Sequence, residues 1–165
     1  MNIDGTDKKQ LTSRLGYDGG AFFSPQNDKI VWRAYYPNSE KKIKEYNELL
    51  SENSIRPMAL QIWTMNPDGS EKKKITKNEA ANFGPYFFPN GKRIIFSSNL
   101  HNQKGRDFDL YSINIDGTRL ERITFFEGFD GFPMFSPDGK YLVFASNRNQ
   151  KKKGDTNLFL AEWNY

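Results

Sequence analysis

The feature that most restricts the fold of this chain is a strand–turn–strand unit that occurs three times. Its clearest copy spans residues 129–146, where Ser136-Pro137-Asp138-Gly139 separates a short aromatic segment from an apolar run, Tyr141 to Ala145. Proline presets φ at the second position of a turn, and glycine reaches positive φ without steric cost. The apolar run predicts a strand that is covered on both faces. The other two copies span residues 82–98 and 18–34.

Further landmarks recur in the same register. The Asp-Gly pairs and the turn prolines recur after 64 and then 48 residues, and one aromatic position recurs every 48 residues. These positions are Asp4, Asp68 and Asp116; Pro25, Pro89 and Pro137; and Trp63, Tyr111 and Phe159. The period is therefore 48 residues, with 16 extra residues in the first unit. A fixed period of this size indicates a repeat architecture.

Each repeat predicts four short strands, which we call a, b, c and d. The predicted ranges are 20–24, 84–88 and 132–136 for a; 29–35, 93–98 and 141–146 for b; 60–66, 109–115 and 157–163 for c; and 8–12, 72–76 and 120–124 for d. Four antiparallel strands per repeat are typical of a β-propeller blade. Pro85 and Pro133 fall within strand a, which suits an edge strand facing the central channel.

The sequence therefore predicts an all-β fold, a β-propeller of three four-stranded antiparallel blades. Residues 1–165 are expected to form one half-propeller domain, with blade repeats at approximately 8–66, 72–115 and 120–163. Asn27 stands where the later repeats have Gly91 and Gly139, and asparagine is the next best residue for positive φ.

The extra residues belong to an insertion at 37–58, between strands b and c of the first repeat. Asn38 or Ser39 is expected to cap a short helix at about 39–52. The apolar side chains on one face of that helix are Ile43, Tyr46, Leu49 and Leu50. Arg56-Pro57 is expected to return the chain to strand c. Two roles remain open for the helix: packing on the rim of the blade, or recognition of a partner.

Composition excludes several classes of protein. The chain has no cysteine, so disulfides and thiolate metal sites are excluded. We expect no membrane span and no signal peptide, because no apolar run is long enough and Met1 is followed by polar residues. The formal net charge is +4, and lysines cluster in runs such as Lys151–Lys153. No nucleic-acid motif accompanies these runs, so we expect solvated loops rather than a polyanion-binding face, and no nucleic-acid partner.

The positions of the repeats predict half of a ring. The last blade lacks a strand d, and the first strand d, at 8–12, lacks a blade. Three blades cannot close a ring, so the expected assembly is a six-bladed propeller. Either a second copy completes it as a homodimer by exchange of residues 8–12, or the other half belongs to a longer parent chain.

Three segments carry a family resemblance. They are Phe-Ser-Pro-Asp-Gly-Lys-Tyr-Leu-Val-Phe-Ala-Ser-Asn-Arg at 135–148, Asp-Leu-Tyr-Ser-Ile-Asn-Ile-Asp-Gly-Thr at 109–118 and Leu-Glu-Arg-Ile-Thr at 120–124. They resemble the WD-like repeats of TolB-type six-bladed β-propellers, and the resemblance covers nearly the whole chain outside residues 37–58. It implies a non-catalytic protein-binding platform, often in the bacterial periplasm. The compartment is expected to be periplasmic or secreted if a parent protein carries a signal peptide, and otherwise cytoplasmic.

One position in each repeat is a candidate for binding. Asp18, Asn82 and Asp130 lie seven residues before the turn prolines, at the entrance to strand a. The d–a and b–c connections open on one face of a propeller, so that face is expected to gather these three residues, the helical insertion, His101 and the Lys151–Lys153 loop. Long loops on a regular scaffold commonly carry binding. Three roles remain open for the three residues: satisfying backbone N–H groups, binding a partner's side chain, or binding Ca²⁺.

Other candidates lie at the end of strand b. Asn99 and Asn147 occupy equivalent places there, with Tyr35 in the first repeat, and Arg148 follows Asn147. These side chains are expected either to hold the b–c loop or to face a ligand. In the next loop, Asp107 and Asp109 are expected to form a local ion pair with Arg106.

The sequence offers little for catalysis. The single histidine, His101, has no Gly-x-Ser-x-Gly nucleophile to serve, and no metal-binding or phosphate-binding motif occurs. We therefore predict no enzymatic activity, no cofactor and no metal, and a protein-interaction module that uses the face with the long loops. Two alternatives remain: the gating propeller of a prolyl-oligopeptidase-like serine peptidase, and a metal-centred propeller hydrolase of the lactonase kind.

Overall fold

The structure, a computed structural model, describes residues 1–54, 59–102 and 105–164. In chain order the elements are β1 (Tyr17–Phe23), β2 (Ile30–Tyr35), α1 (Glu40–Ser51), β3 (Gln61–Met65), β4 (Lys73–Lys74), β5 (Asn82–Phe87), β6 (Arg93–Ser98), a 3₁₀ helix (Leu100–Asn102), β7 (Asp109–Asn114), β8 (Glu121–Arg122), β9 (Asp130–Phe135), β10 (Tyr141–Ser146) and β11 (Asn157–Glu162).

The strands form three antiparallel sheets, which are the blades. Blade 1 has the order β1-β2-β3-β4, blade 2 has β5-β6-β7-β8, and blade 3 has β9-β10-β11. The first strands of the blades pack beside one another, with β5 in contact with both β1 and β9. The predicted all-β propeller of antiparallel blades is confirmed. Blade 3 has three strands within the described residues, as expected from the missing strand d.

One predicted strand does not form within the single chain. Residues 8–12 were expected to form strand d, but they lie outside any strand. A strand d needs a neighbouring strand c for its hydrogen bonds, and the described residues place none beside this segment. Instead Lys9 Nζ donates to the Asp68 carbonyl at 2.7 Å. Leu11 packs against the outer core of blade 1.

The a–b turns follow the predicted turn chemistry. Asn27, Gly91 and Gly139 have φ of 58°, 70° and 74°. In each turn the backbone N–H of this residue donates to the carbonyl three positions earlier, at 2.8–2.9 Å. Asparagine and glycine are the residues that reach this conformation at least cost, so the same turn forms in all three blades.

Each first strand contains a bulge at the same place. The register of β1, β5 and β9 against their neighbours shifts in the middle of the strand. The residue with positive φ there is Gly20 in blade 1 and Gly84 in blade 2, but Phe132 in blade 3, with φ of 54°. A bulky side chain in this region is strained. Its neighbour Pro133, like Pro85, lies in a strand at the edge of its sheet, as predicted.

The hydrophobic core lies between successive blades. Between blades 1 and 2 it contains Val31, Ile62, Phe87 and Ile94. Between blades 2 and 3 it contains Ile95, Leu110, Phe135, Leu142 and Phe144. Because blade 2 is covered on both sides, every residue of β6 after Arg93 is buried.

Tyr141 to Ala145, expected to be covered on both faces, is covered on one face in the single chain. In β10 only alternate residues are buried, and Val143 and Ala145 are partly exposed. Leu142 and Phe144 face blade 2. No fourth blade covers the other face within the described residues, which explains the alternation.

The helical insertion is confirmed as α1. Ser39 is its N-cap, and its Oγ accepts a hydrogen bond from the Lys42 backbone N–H. The end of the predicted insertion, residues 55–58 with Arg56-Pro57, lies outside the described residues. No helix in the described part of the chain is long and apolar enough to cross a membrane.

Candidate binding site

The antiparallel blades present two rims of different construction. Strands a and c both end at the rim that carries the a–b and c–d turns. We call this rim the turn rim. The d–a and b–c connections lie at the opposite rim, which we call the loop rim. The loop rim therefore carries α1, the 3₁₀ helix at Leu100–Asn102 and the loop that contains Lys151–Lys153.

In blade 1, Asp18 is the candidate residue at the start of strand a on the loop rim. Its Oδ1 accepts hydrogen bonds from Trp32 Nε1 at 2.7 Å and from the Tyr36 hydroxyl at 2.5 Å. Burial, then the hydrogen bond and charge of Asp18, raise the pKa of Tyr36 well above its ordinary value. The hydroxyl therefore stays a neutral donor, and Asp18 orients an aromatic ring.

Asn82 holds the equivalent position in blade 2 and is fully buried. Its Nδ2 donates to Asn78 Oδ1 at 2.8 Å and to the Leu60 and Ala80 carbonyls at 2.8 and 3.2 Å. Its Oδ1 accepts from Ser98 Oγ at 2.8 Å. The Nδ2 group, a donor that the aspartates at the equivalent positions lack, fixes the d–a connection.

Asp130 is also fully buried, in blade 3. Its Oδ2 lies 2.5 Å from Arg148 Nη2, and Arg148 Nε donates to Ser146 Oγ at 2.9 Å. The Asp130 Oδ1 atom has no hydrogen-bond partner among the described residues. The guanidinium carbon of Arg148 lies 4.9 Å from the Phe126 ring centroid. Two of the sequence candidates thus form one ion pair, in which the carboxylate is fully buried and the arginine is partly exposed.

Asn99 and Asn147 have matching contacts at the ends of β6 and β10. Asn99 Oδ1 accepts from the Ala81 N–H at 2.9 Å, and Asn147 Oδ1 accepts from the Phe129 N–H at 2.8 Å. Each side chain ties a b–c loop to the preceding d–a connection.

Sequence reasoning missed the most connected carboxylate. Asp109 is fully buried and binds Arg122, with Oδ2 at 2.5 Å from Nη2, rather than Arg106. Its Oδ1 accepts from Thr124 Oγ1 and the Phe126 N–H, both at 3.0 Å. The hairpin register contained the signal, because Arg122 pairs with Tyr111, and Asp109 points to the same face as Tyr111.

His101 is less free than its loop position indicates. Its Nε2 lies 3.3 Å from Asp109 Oδ2, and its Nδ1 lies 3.2 Å from the Tyr111 hydroxyl. The imidazole stacks on the Tyr111 ring with 20% of its side chain exposed. The imidazole is therefore held between a buried carboxylate and an aromatic ring.

Tyr35 is the sequence candidate that lines a pocket. This blade 1 pocket has a volume of about 200 Å³, and its walls include Arg14, Tyr35, Tyr36, Lys42, Trp63 and Lys74. It lies between α1 and the d–a connections that carry Arg14 and Asn78. The Tyr46 hydroxyl of α1 donates to the Gly16 carbonyl at 2.7 Å, which fixes the helix beside the pocket.

The wall of the pocket contains both aromatic rings and positively charged side chains. Tyr36 and Trp63 meet edge to face with centroids 5.4 Å apart. The guanidinium carbon of Arg14 lies 4.8 Å from the Tyr36 ring centroid. On the floor, Gln61 donates to the Asn78 carbonyl at 2.6 Å and accepts from Thr76 Oγ1 at 2.9 Å.

The structure thus brings some of the candidates together and separates others. Tyr35 and the ring oriented by Asp18 line the blade 1 pocket, and Asn82 supports its floor through Asn78. His101 contacts residues of blade 2, and Arg148 contacts residues of blade 3. Within the described ranges, no group of three or more His, Asp or Glu residues is arranged to hold a metal ion.

Comparisons with solved structures agree with this architecture. A protein from Agrobacterium tumefaciens assigned as TolB is 24% identical, with a TM-score of 0.65 over 92% of this chain and 47% of its own. TolB from Acinetobacter baumannii is 20% identical, with a TM-score of 0.69 over 98% of this chain and 33% of its own. A puromycin-hydrolysing peptidase from Mycobacterium tuberculosis is 11% identical, with a TM-score of 0.64 over 96% and 22%. These likenesses establish the fold.

The chain spans less than half the length of these structures. No curated protein sequence matches it. The family model described as the TolB beta propeller domain matches residues 50–153, which is well over half of the chain. Together with the three repeats and the propeller blades, this match shows that the chain belongs to the TolB β-propeller family.

Proposed function

We propose that this chain is a non-catalytic protein-interaction module that binds its partner through the loop rim. The observation that carries the proposal is the blade 1 pocket. It lies on the loop rim, it is lined by tyrosine, tryptophan and arginine side chains, and an inserted helix forms one wall. These residue types are enriched at the energetic centres of protein interfaces.

The alternative of a peptidase-associated propeller has weaker support. The fold is shared with a peptidase from Mycobacterium tuberculosis, but a likeness at 11% identity concerns the fold alone. The only histidine of the chain contacts Asp109 and Tyr111, and no serine lies in a nucleophile motif. A Gly-x-Ser-x-Gly motif in a longer parent protein would favour this alternative.

The binding proposal can be tested by photo-cross-linking in the cells that express the protein. Asn38 and Asn90 are a matched pair, because both are exposed asparagines, one on the loop rim and one on the turn rim. Benzoylphenylalanine at position 38 is expected to give a covalent adduct with a second protein, and the same group at position 90 is not. Adducts at position 90 alone, or at neither position, would contradict the proposal.

We further propose that a second copy completes the ring. Leu158 and Leu160 on β11 are 78% and 69% exposed, and β11 has no outer neighbour among the described residues. Residues 8–12 have the register of strand d and pair with no strand. Pairing them with β11 of another copy would satisfy both segments.

Light scattering behind gel filtration tests this assembly. The proposal predicts a particle with twice the mass of one chain, and a monomer when residues 1–12 are deleted. A folded monomer of the intact chain would contradict it and would favour the remainder of a longer parent chain as the missing half.

A further inference from the structure

We propose that the blade 1 pocket receives an acidic side chain, aspartate or glutamate, from an extended peptide of the partner. The inference rests on the proposed function and adds the chemistry of the bound segment. It follows from the charge of the pocket, the geometry of its walls, its size and the strand beside it.

The pocket carries an excess of unpaired positive charge. Arg14, Lys42 and Lys74 line it, and Glu79 is the one acidic side chain in its wall. None of the three cations takes part in an ion pair within the described residues. Elsewhere on blades 2 and 3, Arg93, Arg122 and Arg148 all have carboxylate partners. The three free cations therefore favour an anionic ligand.

The walls orient one of these cations. Arg14 lies over the Tyr36 ring, and Tyr36 is held by its hydrogen bond to Asp18 and its contact with Trp63. Stacking on a ring uses the flat face of a guanidinium and leaves its N–H edge for a planar carboxylate. The Arg14 guanidinium thus lies at the Tyr36 side of the pocket, where a carboxylate can reach it.

Size and rigidity indicate a single side chain. A volume of about 200 Å³ is below the usual range for small-molecule sites, roughly 300–1,000 Å³. Gln61 is 5% exposed and is bonded to Asn78 and Thr76, so the floor is fixed before a ligand arrives. A preformed pocket of this size suits the carboxylate end of one residue.

The neighbouring strand favours a peptide over other anions. Lys74 belongs to β4, the outermost strand of blade 1, and no other described strand pairs with its free edge. An extended peptide can add to such an edge through main-chain hydrogen bonds while a side chain enters an adjacent pocket. An acidic sugar or a free phosphate lacks this second mode of binding.

Fluorescence anisotropy with a labelled oligoglutamate peptide tests the inference. The full chain is compared with two triple variants of equal net charge: Arg14→Gln/Lys42→Gln/Lys74→Gln in the pocket, and Lys151→Gln/Lys152→Gln/Lys153→Gln in the blade 3 loop. We expect the pocket variant to bind roughly tenfold or more weakly, and the loop variant to bind almost as the wild type does. An oligoglutamine peptide is expected not to bind.

Equal losses in the two variants would overturn the inference, because they would show a general effect of charge. Tighter binding of inorganic phosphate or of an oligouronide than of oligoglutamate would overturn it as well. The cross-link at position 38 separates this failure from failure of the proposed function. If the adduct persists in the pocket variant, the loop rim still binds a protein and only the acidic specificity is wrong.

Discussion

The two rims of the propeller are built from the same three repeats, but only the turn rim repeats its chemistry. In the c–d turns, Asp4, Asp68 and Asp116 each accept hydrogen bonds from the backbone and hydroxyl of the residue two positions later. In the a–b turns, the residues with positive φ are Asn27, Gly91 and Gly139. Each of these residues stabilises its own turn, so the same turn chemistry forms in every blade.

On the loop rim, equivalent positions have different partners. Asp18 binds two aromatic side chains, Asn82 binds two backbone carbonyls and an amide, and Asp130 binds an arginine. These bonds reach into connections that differ in length and composition. Turn-rim residues should therefore be exchangeable between blades, and loop-rim residues should not.

The largest effect is expected from Arg148→Ala. The variant leaves the Asp130 carboxylate fully buried without its charged partner, which should lower the free energy of unfolding by about 3 kcal/mol. The measurement is urea unfolding followed by circular dichroism. Lys140→Ala on the turn rim should change the same quantity by no more than ~0.5 kcal/mol. If both variants lowered the free energy of unfolding equally, the expected difference between the loop rim and the turn rim would be wrong.

A nearly equal loss is expected from Asn82→Asp, which imports the residue found in blades 1 and 3. A carboxylate at this position faces three acceptor oxygens and cannot donate, so unfolding should become easier by about 3 kcal/mol. Asn82→Ala, which removes the amide without adding charge, is expected to cost less. Retained stability of Asn82→Asp in thermal denaturation would show that the position is exchangeable.

Acid is expected to destabilise the turn rim, and alkali is expected to destabilise the loop rim. Hydrogen bonds from Thr6, Ser70 and Thr118 lower the pKa of Asp4, Asp68 and Asp116. Their contribution to stability is present above the unfolded-state pKa, about 4, and is lost as the pH falls through their lower folded values. The raised pKa of Tyr36 acts oppositely: its contribution is present below about pH 10 and is lost as the pH rises towards the folded value.

Unfolding midpoints measured across pH test this division. Tyr36→Phe should weaken the fall of the unfolding midpoint at alkaline pH and leave its fall at acidic pH unchanged. Asp116→Asn should weaken part of the fall at acidic pH. A change in the fall at acidic pH on Tyr36→Phe would argue against separate titration of the two rims.

The smallest effect is expected from Gly91→Asn, which imports the residue of the first a–b turn. Asparagine already adopts φ of 58° at Asn27, close to the 70° at Gly91, so the free energy of unfolding should change by less than about 1 kcal/mol. Gly91→Val, which cannot adopt this conformation without strain, is the control and should lose more. Differential scanning calorimetry would resolve the pair.

The sequence predicted those parts of the fold that depend on local rules. Asn27 was identified as the equivalent of glycine because few residues reach positive φ, and Ser39 was identified as a helix cap. The strands b were placed to within one residue because each follows its turn at a fixed distance. These features are set by residues that are close in the chain.

The sequence did not predict features that depend on contacts between distant segments. The partners of Asp18 and Asp130 lie 14–18 positions away, and their choice depends on how each b–c loop folds back. The repeat predicted where the candidate residues lie in each blade, but it did not predict which residues they contact.

The proposed function requires that the loop rim, and not the turn rim, binds the partner. Hydroxyl-radical footprinting of the intact protein, alone and with the protein captured at position 38, tests it directly. The reporters are Tyr36 and His101 on the loop rim and Phe23 and Tyr141 on the turn rim. Our account predicts that the partner lowers the oxidation rate of Tyr36, or of both loop-rim reporters, and leaves Phe23 and Tyr141 unchanged. Protection of Phe23 and Tyr141 with unchanged oxidation of Tyr36 and His101 would contradict it.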